Sequence, residues 1–114
     1  MLPKENRLKK KSAFSATYRT GKILRQDGIT MFCGKKKTGE FATKVGFVVS
    51  KKIHKRAVKR NRIKRLMRES IRLLIKENKF SCDNMSLVFV ASTRQLGKNF
   101  KEVDASIKKL VSKL

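Results

Sequence analysis

The chain has 114 residues, of which 31 are Lys or Arg and 8 are Asp or Glu, a formal net charge of +23. Hydrophobic residues make up 39% and include seven Phe, enough to build a core, which excludes a purely disordered basic tail. A compact body this cationic repels itself unless a polyanion neutralises it, so its partner is nucleic acid or an anionic membrane.

The start, Met1-Leu2-Pro3-Lys4-Glu5-Asn6, is charged and has no apolar stretch of the kind a secretory signal needs, so a cytoplasmic location is expected. The longest apolar run is only Leu87 to Ala91, far short of the ~18 residues of a membrane span. Cys33 and Cys82 are accordingly read as small reduced hydrophobes. With His54, the only histidine, they have no spacing suited to structural zinc, and no metal site is expected. No repeat or Gly/Ser linker divides the chain, and a single domain over 1–114 is expected.

In chain order, Ser12 is a candidate cap for a short helix over Ala13 to Arg19, with Gly21 as its stop. Lys22 to Leu24, Ile29 to Cys33 and Thr43 to Ser50 have strand character. Gly34 to Gly39 reads as an exposed basic turn, across which the last two of these strands would pair antiparallel. From Ala57 to Lys79, Ile63, Leu66, Met67, Ile71 and Leu74 recur at spacings of three and four and define the apolar stripe of a long helix. Asn61, Arg65, Arg68 and Arg72 fall on the opposite side. Met85 to Ala91 is continuously apolar, as a strand buried on both faces is. A last helix starts at Asn99, with Glu102 placed for a capping box and Phe100, Val103, Ile107, Leu110, Val111 and Leu114 as its stripe. The pattern is an α+β sandwich, one mostly antiparallel sheet of four strands packed with three helices.

Between Lys51 and Arg72, 11 of 22 residues are basic and Glu69 is the only acid. Like charges four apart, as in Lys64/Arg68 and Arg68/Arg72, cost a helix ~0.2–0.5 kcal/mol per pair, so an external polyanion must compensate them. Arg predominates after Arg60, and its planar fork suits phosphate. A membrane-surface helix would need its apolar stripe for lipid, but a small domain needs that stripe for its core, and the chain has no Trp. Neither a helix-turn-helix pair nor a heptad zipper accompanies the segment, which disfavours a DNA groove reader and leaves a folded RNA.

The stretch Arg60-Asn61-Arg62-Ile63-Lys64-Arg65-Leu66-Met67-Arg68-Glu69, preceded by Val48-Val49-Ser50-Lys51-Lys52, resembles the Arg-Asn-Arg signature helix of the protein subunit of bacterial ribonuclease P. Asn6-Arg7-Leu8 through Phe14 and Tyr18 to Gly21 is similar to that family's N-terminal helix, so the resemblance covers nearly the whole chain. It implies a small basic protein that joins a catalytic RNA and helps it remove the 5′ leader from precursor tRNA. On that resemblance the RNA is expected to do the hydrolysis through Mg2+, and neither an obligate protein partner nor a membrane is expected. The implied fold is a four-stranded sheet with a left-handed β-α-β crossover, against the usual right-handed rule. No catalytic residue is expected in the chain. Its acids are scattered, and His54 has no second acid-base partner.

The resemblance implies two RNA surfaces. Arg60, Asn61, Arg62, Lys64, Arg65 and Arg68 would contact the catalytic RNA. Phe14 and Tyr18, four apart on one helix side, with Phe32 on a nearby strand, would line a cleft for the single-stranded leader, which Lys51 and Lys52 would extend. The alternatives are ordinary core packing for the aromatics and, for the whole chain, a ribosomal or other RNA-assembly protein. A protein-only ribonuclease is a third class.

Overall fold

A computed structural model of the protein describes residues 2–19, 22–36, 42–77, 79–80 and 84–114. The first helix, α1 (Lys11–Arg19), begins where the Lys10 carbonyl accepts from the amides of Ala13 at 3.0 Å and Phe14 at 3.2 Å. Ser12 therefore lies inside the first turn and not at the cap. The expected stop, Gly21, lies outside the described residues, as do Cys82 and residues 37–39 of the expected turn.

Strand β1 (Lys22–Gln26) is longer than its apolar residues suggest, because the chain reverses at Asp27 and Gly28, both with positive φ (51° and 85°). Two such residues make a turn whose twist matches a hairpin. β1 thus pairs antiparallel with β2 (Ile29–Cys33), Gln26 opposite Ile29 and Lys22 opposite Cys33.

The next strand, β3 (Lys44–Val48), corrects the expected topology. It does not pair with β2: the last strand, β4 (Ser86–Ala91), lies between them, giving the order β1-β2-β4-β3. β4 is antiparallel to β2 and parallel to β3, so the sheet is mixed. The reason lies beyond β2, where Gly34 and Lys35 keep bonding to the β4 side, through Gly34 N to Ser86 O at 2.8 Å and Met85 N to Lys35 O at 2.7 Å. Leu87, Val88 and Phe89 are all fully buried, as the central strand of a sheet covered on both faces requires.

One sheet face carries α2 (Ala57–Lys76) and α3 (Phe100–Ser112). Ile29, Met31, Val45, Leu87 and Phe89 from the sheet meet Ile63, Met67, Ile71, Val103, Ile107 and Leu110 from the helices in one buried core. Each such side chain contributes roughly 1.5–3 kcal/mol on leaving water. α2 stops three residues before the expected Lys79, in a turn closed by Glu77 N to Leu73 O and Lys79 N to Leu74 O. Buried Ser70 donates to Asp104 at 2.6 Å, and Asp104 pairs with Lys108 at 2.9 Å, joining α2 to α3 by a polar clasp. Asn99 caps α3 in the expected capping box with Glu102.

Alternation puts the other side chains on the opposite face. There Phe32, Val88 and Gly46 form one row across the sheet, Phe32 opposite Val88 and Gly46 beside it. α1 lies on that row.

Candidate nucleic-acid interface

Phe14 and Tyr18 leave α1 on the sheet side but meet different strands. The Phe14 ring lies on Gly46 of β3 so closely that a Cβ there would stand 2.5 Å from it. Tyr18 meets Phe32 of β2 edge-to-face, with ring centroids 4.8 Å apart and planes at 81°. Between them Thr17 is buried, its hydroxyl donating to the Ala13 carbonyl at 2.8 Å and hydrogen-bonded to Ser86 of β4 at 2.6 Å. Thr17 therefore docks the helix on β4, and the aromatics straddle that strand. Phe14 and Phe32 stay half-buried and Tyr18 is 39% exposed. Burial raises the Tyr18 pKa, keeping its phenol a neutral donor. The next row on this face, Thr30, Val90 and Val48, is also only half-buried.

A cleft of about 320 Å³ opens beside Phe14, along the β3 edge. The N-terminal segment starts that edge, with Leu8 N bonded to Val45 O at 3.1 Å. Arg7, Lys9, Phe14, Phe47, Lys64 and Arg68 are among the residues lining the cleft. Aromatic surface from α1 and cations from α2, which lie on opposite faces of the sheet, thus line one cleft around the β3 edge.

At about 100° per residue, the expected RNA-contacting residues of α2 leave the helix in different directions. Lys64 and Arg68, half-buried, take the flank toward the cleft. This differs from the expectation for Arg68, which does not stand on the outermost side. Asn61 and Arg65 are exposed on the outer side. Arg62 takes the flank toward α3, where it donates to the Lys98 carbonyl at 3.0 Å. Arg60 donates to the carbonyls of His54 and Lys55, both at 2.8 Å, and so braces the loop entering α2. In that loop His54 Nδ1 accepts from the Arg56 amide at 3.0 Å, giving His54 a loop-shaping role. Lys51 and Lys52 are exposed in the turn after β3, closed by Ile53 N to Ser50 O at 3.0 Å, and do not line the cleft. Arg56 supplies no side-chain cap, so the positive end of the α2 dipole adds to this basic loop. Glu69 is held by Arg72 through two bonds, at 2.9 and 2.6 Å, and that guanidinium keeps its carboxyl below the ordinary carboxylate range.

Residues 2–114 match the family model described as Ribonuclease P. The chain is 36% identical over 107 residues to the ribonuclease P protein component of Clostridium kluyveri, covering 94% of this chain and 92% of that one. It is 37% identical to that of Clostridioides difficile, over 93% of this chain and 89% of the relative. The chain belongs to the ribonuclease P protein family. Solved ribonuclease P proteins share the fold: one from Staphylococcus aureus superposes with a TM-score of 0.79 at 21% identity, covering 96% of this chain and 94% of that one. One from Thermotoga maritima gives 0.77 at 20% identity, with 95% and 96% covered.

As a ribonuclease P protein the chain is the accessory subunit of an endoribonuclease that processes the 5′ end of tRNA, with a ribonuclease P RNA as its partner. Membership decides against the ribosomal alternative. Among the described residues no helix is long and apolar enough to cross a membrane. Sequence reasoning did not find the contribution of Gly46, Arg7 and Lys9 to the cleft beside Phe14. The signal available for Gly46 was a glycine inside an otherwise apolar strand, which marks a close approach.

Proposed function

We propose that this subunit holds the single-stranded leader of precursor tRNA in the groove between α1 and the sheet, while α2 grips the catalytic RNA. The supporting observation is the shared cleft, which is lined both by the Phe14 ring and by Lys64 and Arg68. Aromatic faces accept any base by stacking and the cations follow the phosphates, the chemistry of sequence-tolerant single-strand binding. Tyr18 and Phe32 continue the aromatic surface, and Lys51 and Lys52 extend the positive field from the end of β3. On the outer side Asn61 and Arg65 present exposed polar groups, with Arg60 and Arg62 fixed beside them by their own carbonyl bonds. Lys64 and Arg68 lie between the two surfaces and touch both RNAs.

The hydrolysis belongs to the RNA subunit and the Mg2+ ions it holds. Four of the protein's eight carboxylates have other work: Asp27 accepts from Ser106, Glu69 from Arg72, Asp104 from Ser70, and Glu102 completes a helix cap. The complex acts in the cytoplasm without an obligate protein partner. The test is reconstitution with a bacterial ribonuclease P RNA. Phe14→Ala with Tyr18→Ala, shown to be folded by circular dichroism, should weaken binding of leader-bearing precursor at ~1–3 kcal/mol per lost stack and leave mature tRNA binding nearly unchanged. Arg65→Ala should weaken assembly with the RNA, so that extra protein restores cleavage of every substrate. Equal discrimination of precursor from mature tRNA by the aromatic variant and wild type would show that the rings only pack.

A further inference from the structure

On the α3 flank of α2, opposite the leader cleft, Arg62, Arg65, Leu66, Glu69 and Phe100 surround a second pocket of about 500 Å³. Its composition is unusual for this surface. Leu66 and Phe100 are only half-buried and give it an apolar floor, and Phe100 is the first residue of α3, held in place by the adjacent capping box. The two guanidiniums form its rim, and Arg62 is fixed there by its bond to the Lys98 carbonyl at 3.0 Å. Glu69, the only acid in the densest basic segment, contributes the pocket's one carboxylate, oriented by Arg72 and kept ionised by it.

We infer that this pocket receives one unstacked nucleobase of the catalytic RNA. The inference rests on the reading of α2 as the surface that meets that RNA. An aromatic ring with guanidinium planes beside it stacks a base, and the rim cations match the phosphates on either side of it. The Glu69 carboxylate, oriented by its two bonds from Arg72, keeps lone pairs with which to accept from a base N–H edge. The leader is not the occupant, because Lys64 and Arg68, which border its cleft, leave the helix on the other flank.

The chain has no tryptophan, so Phe100→Trp places a single fluorescent reporter in the pocket. Titration with the catalytic RNA alone should quench that indole, with a midpoint equal to the dissociation constant read by filter binding. Precursor tRNA added to the protein without the catalytic RNA should not. Phe100→Leu keeps the apolar volume but loses the ring, and should weaken RNA binding about tenfold, within the range of one lost stack, with the salt dependence unchanged. A complex that forms on the filter while the indole keeps its unbound emission, or a folded Phe100→Leu with wild-type affinity, overturns the pocket assignment. Arg65→Ala separates this from failure of the underlying reading. An affinity loss with that variant alongside a silent indole reporter rejects the pocket alone, whereas unchanged affinity in Arg65→Ala together with a silent reporter rejects both.

Discussion

At Gly46 the choice of a single residue sets the depth of α1 on the sheet. The Phe14 ring occupies the space a side chain would take, and a Cβ would also stand 3.2 Å from Leu8. Gly46→Ala should therefore push Phe14 off β3 and destabilise the protein by about 1–3 kcal/mol, the usual range for overpacking. It should weaken leader binding with it. Adding Phe14→Leu to Gly46→Ala should recover much of the stability in urea denaturation, because the ring is the obstacle, but not the leader binding, because in the proposed function the ring is what a leader base stacks on. If the second substitution restores neither, the strain lies in the β3 backbone. Phe14 packs on Gly46 and also lines the cleft, which its helical spacing with Tyr18 could not reveal: two aromatics four apart look the same whether they fill a core or floor a groove.

At the scale of elements, the β1–β2 hairpin is tied to α3 through Asp27. Its carboxylate accepts from Ser106 at 3.0 Å and from Gln26 at 3.2 Å, and its carbonyl accepts from the buried Gln95 amide at 2.7 Å. The Gln26 and Ser106 hydrogen bonds, helped by Lys109 and Lys98, hold the Asp27 pKa below its ordinary 3.8. A carboxyl whose folded pKa is depressed stabilises the fold above its unfolded value and loses that contribution as pH falls through the folded value. Thermal stability should accordingly decline from just above pH 4 downward. Asp27→Asn, which tolerates the same positive φ, should start lower at neutral pH and show a shallower decline. Parallel acid limbs for the two proteins would place the titration elsewhere. The long helix, the Asn99 cap and the central character of Leu87 to Ala91 were legible, all fixed by local chemistry, whereas the turn at Asp27-Gly28 was missed although that pair carries a hairpin signal. The partner of β3 was not legible, because strand adjacency depends on where a distant segment inserts, and nothing in Thr43 to Ser50 encodes the arrival of β4. The same limit applies to α2, where periodicity identified the cationic side. The assignment of Lys64 and Arg68 to the cleft and Arg62 to the Lys98 carbonyl follows from neighbours supplied by other parts of the chain.

For the whole molecule, a net charge of +23 on a body with a radius of gyration of 13.2 Å sets two opposing responses to salt. Like charges confined within little more than a Debye length of one another, ~10 Å at 0.1 M, repel in the folded state more than in an expanded chain, and salt screens that repulsion. The melting temperature of the free protein should therefore rise with monovalent salt. Affinity for the catalytic RNA should fall over the same range, because each phosphate contact releases condensed counterions, ~0.7–0.9 of an ion per contact. Arg65, exposed on the outer side of α2, should account for about one such contact, so Arg65→Ala should make the log–log slope shallower by that amount. Binding also feeds back on folding: RNA at a hundredfold excess over its dissociation constant stabilises the protein by about 2.7 kcal/mol. Melting curves with and without RNA should consequently converge as salt rises, the free curve moving up and the bound curve coming down to meet it. A free protein whose melting temperature is indifferent to salt would mean that its cations are too far apart to repel, and the argument that an external polyanion must neutralise this chain would fail with it.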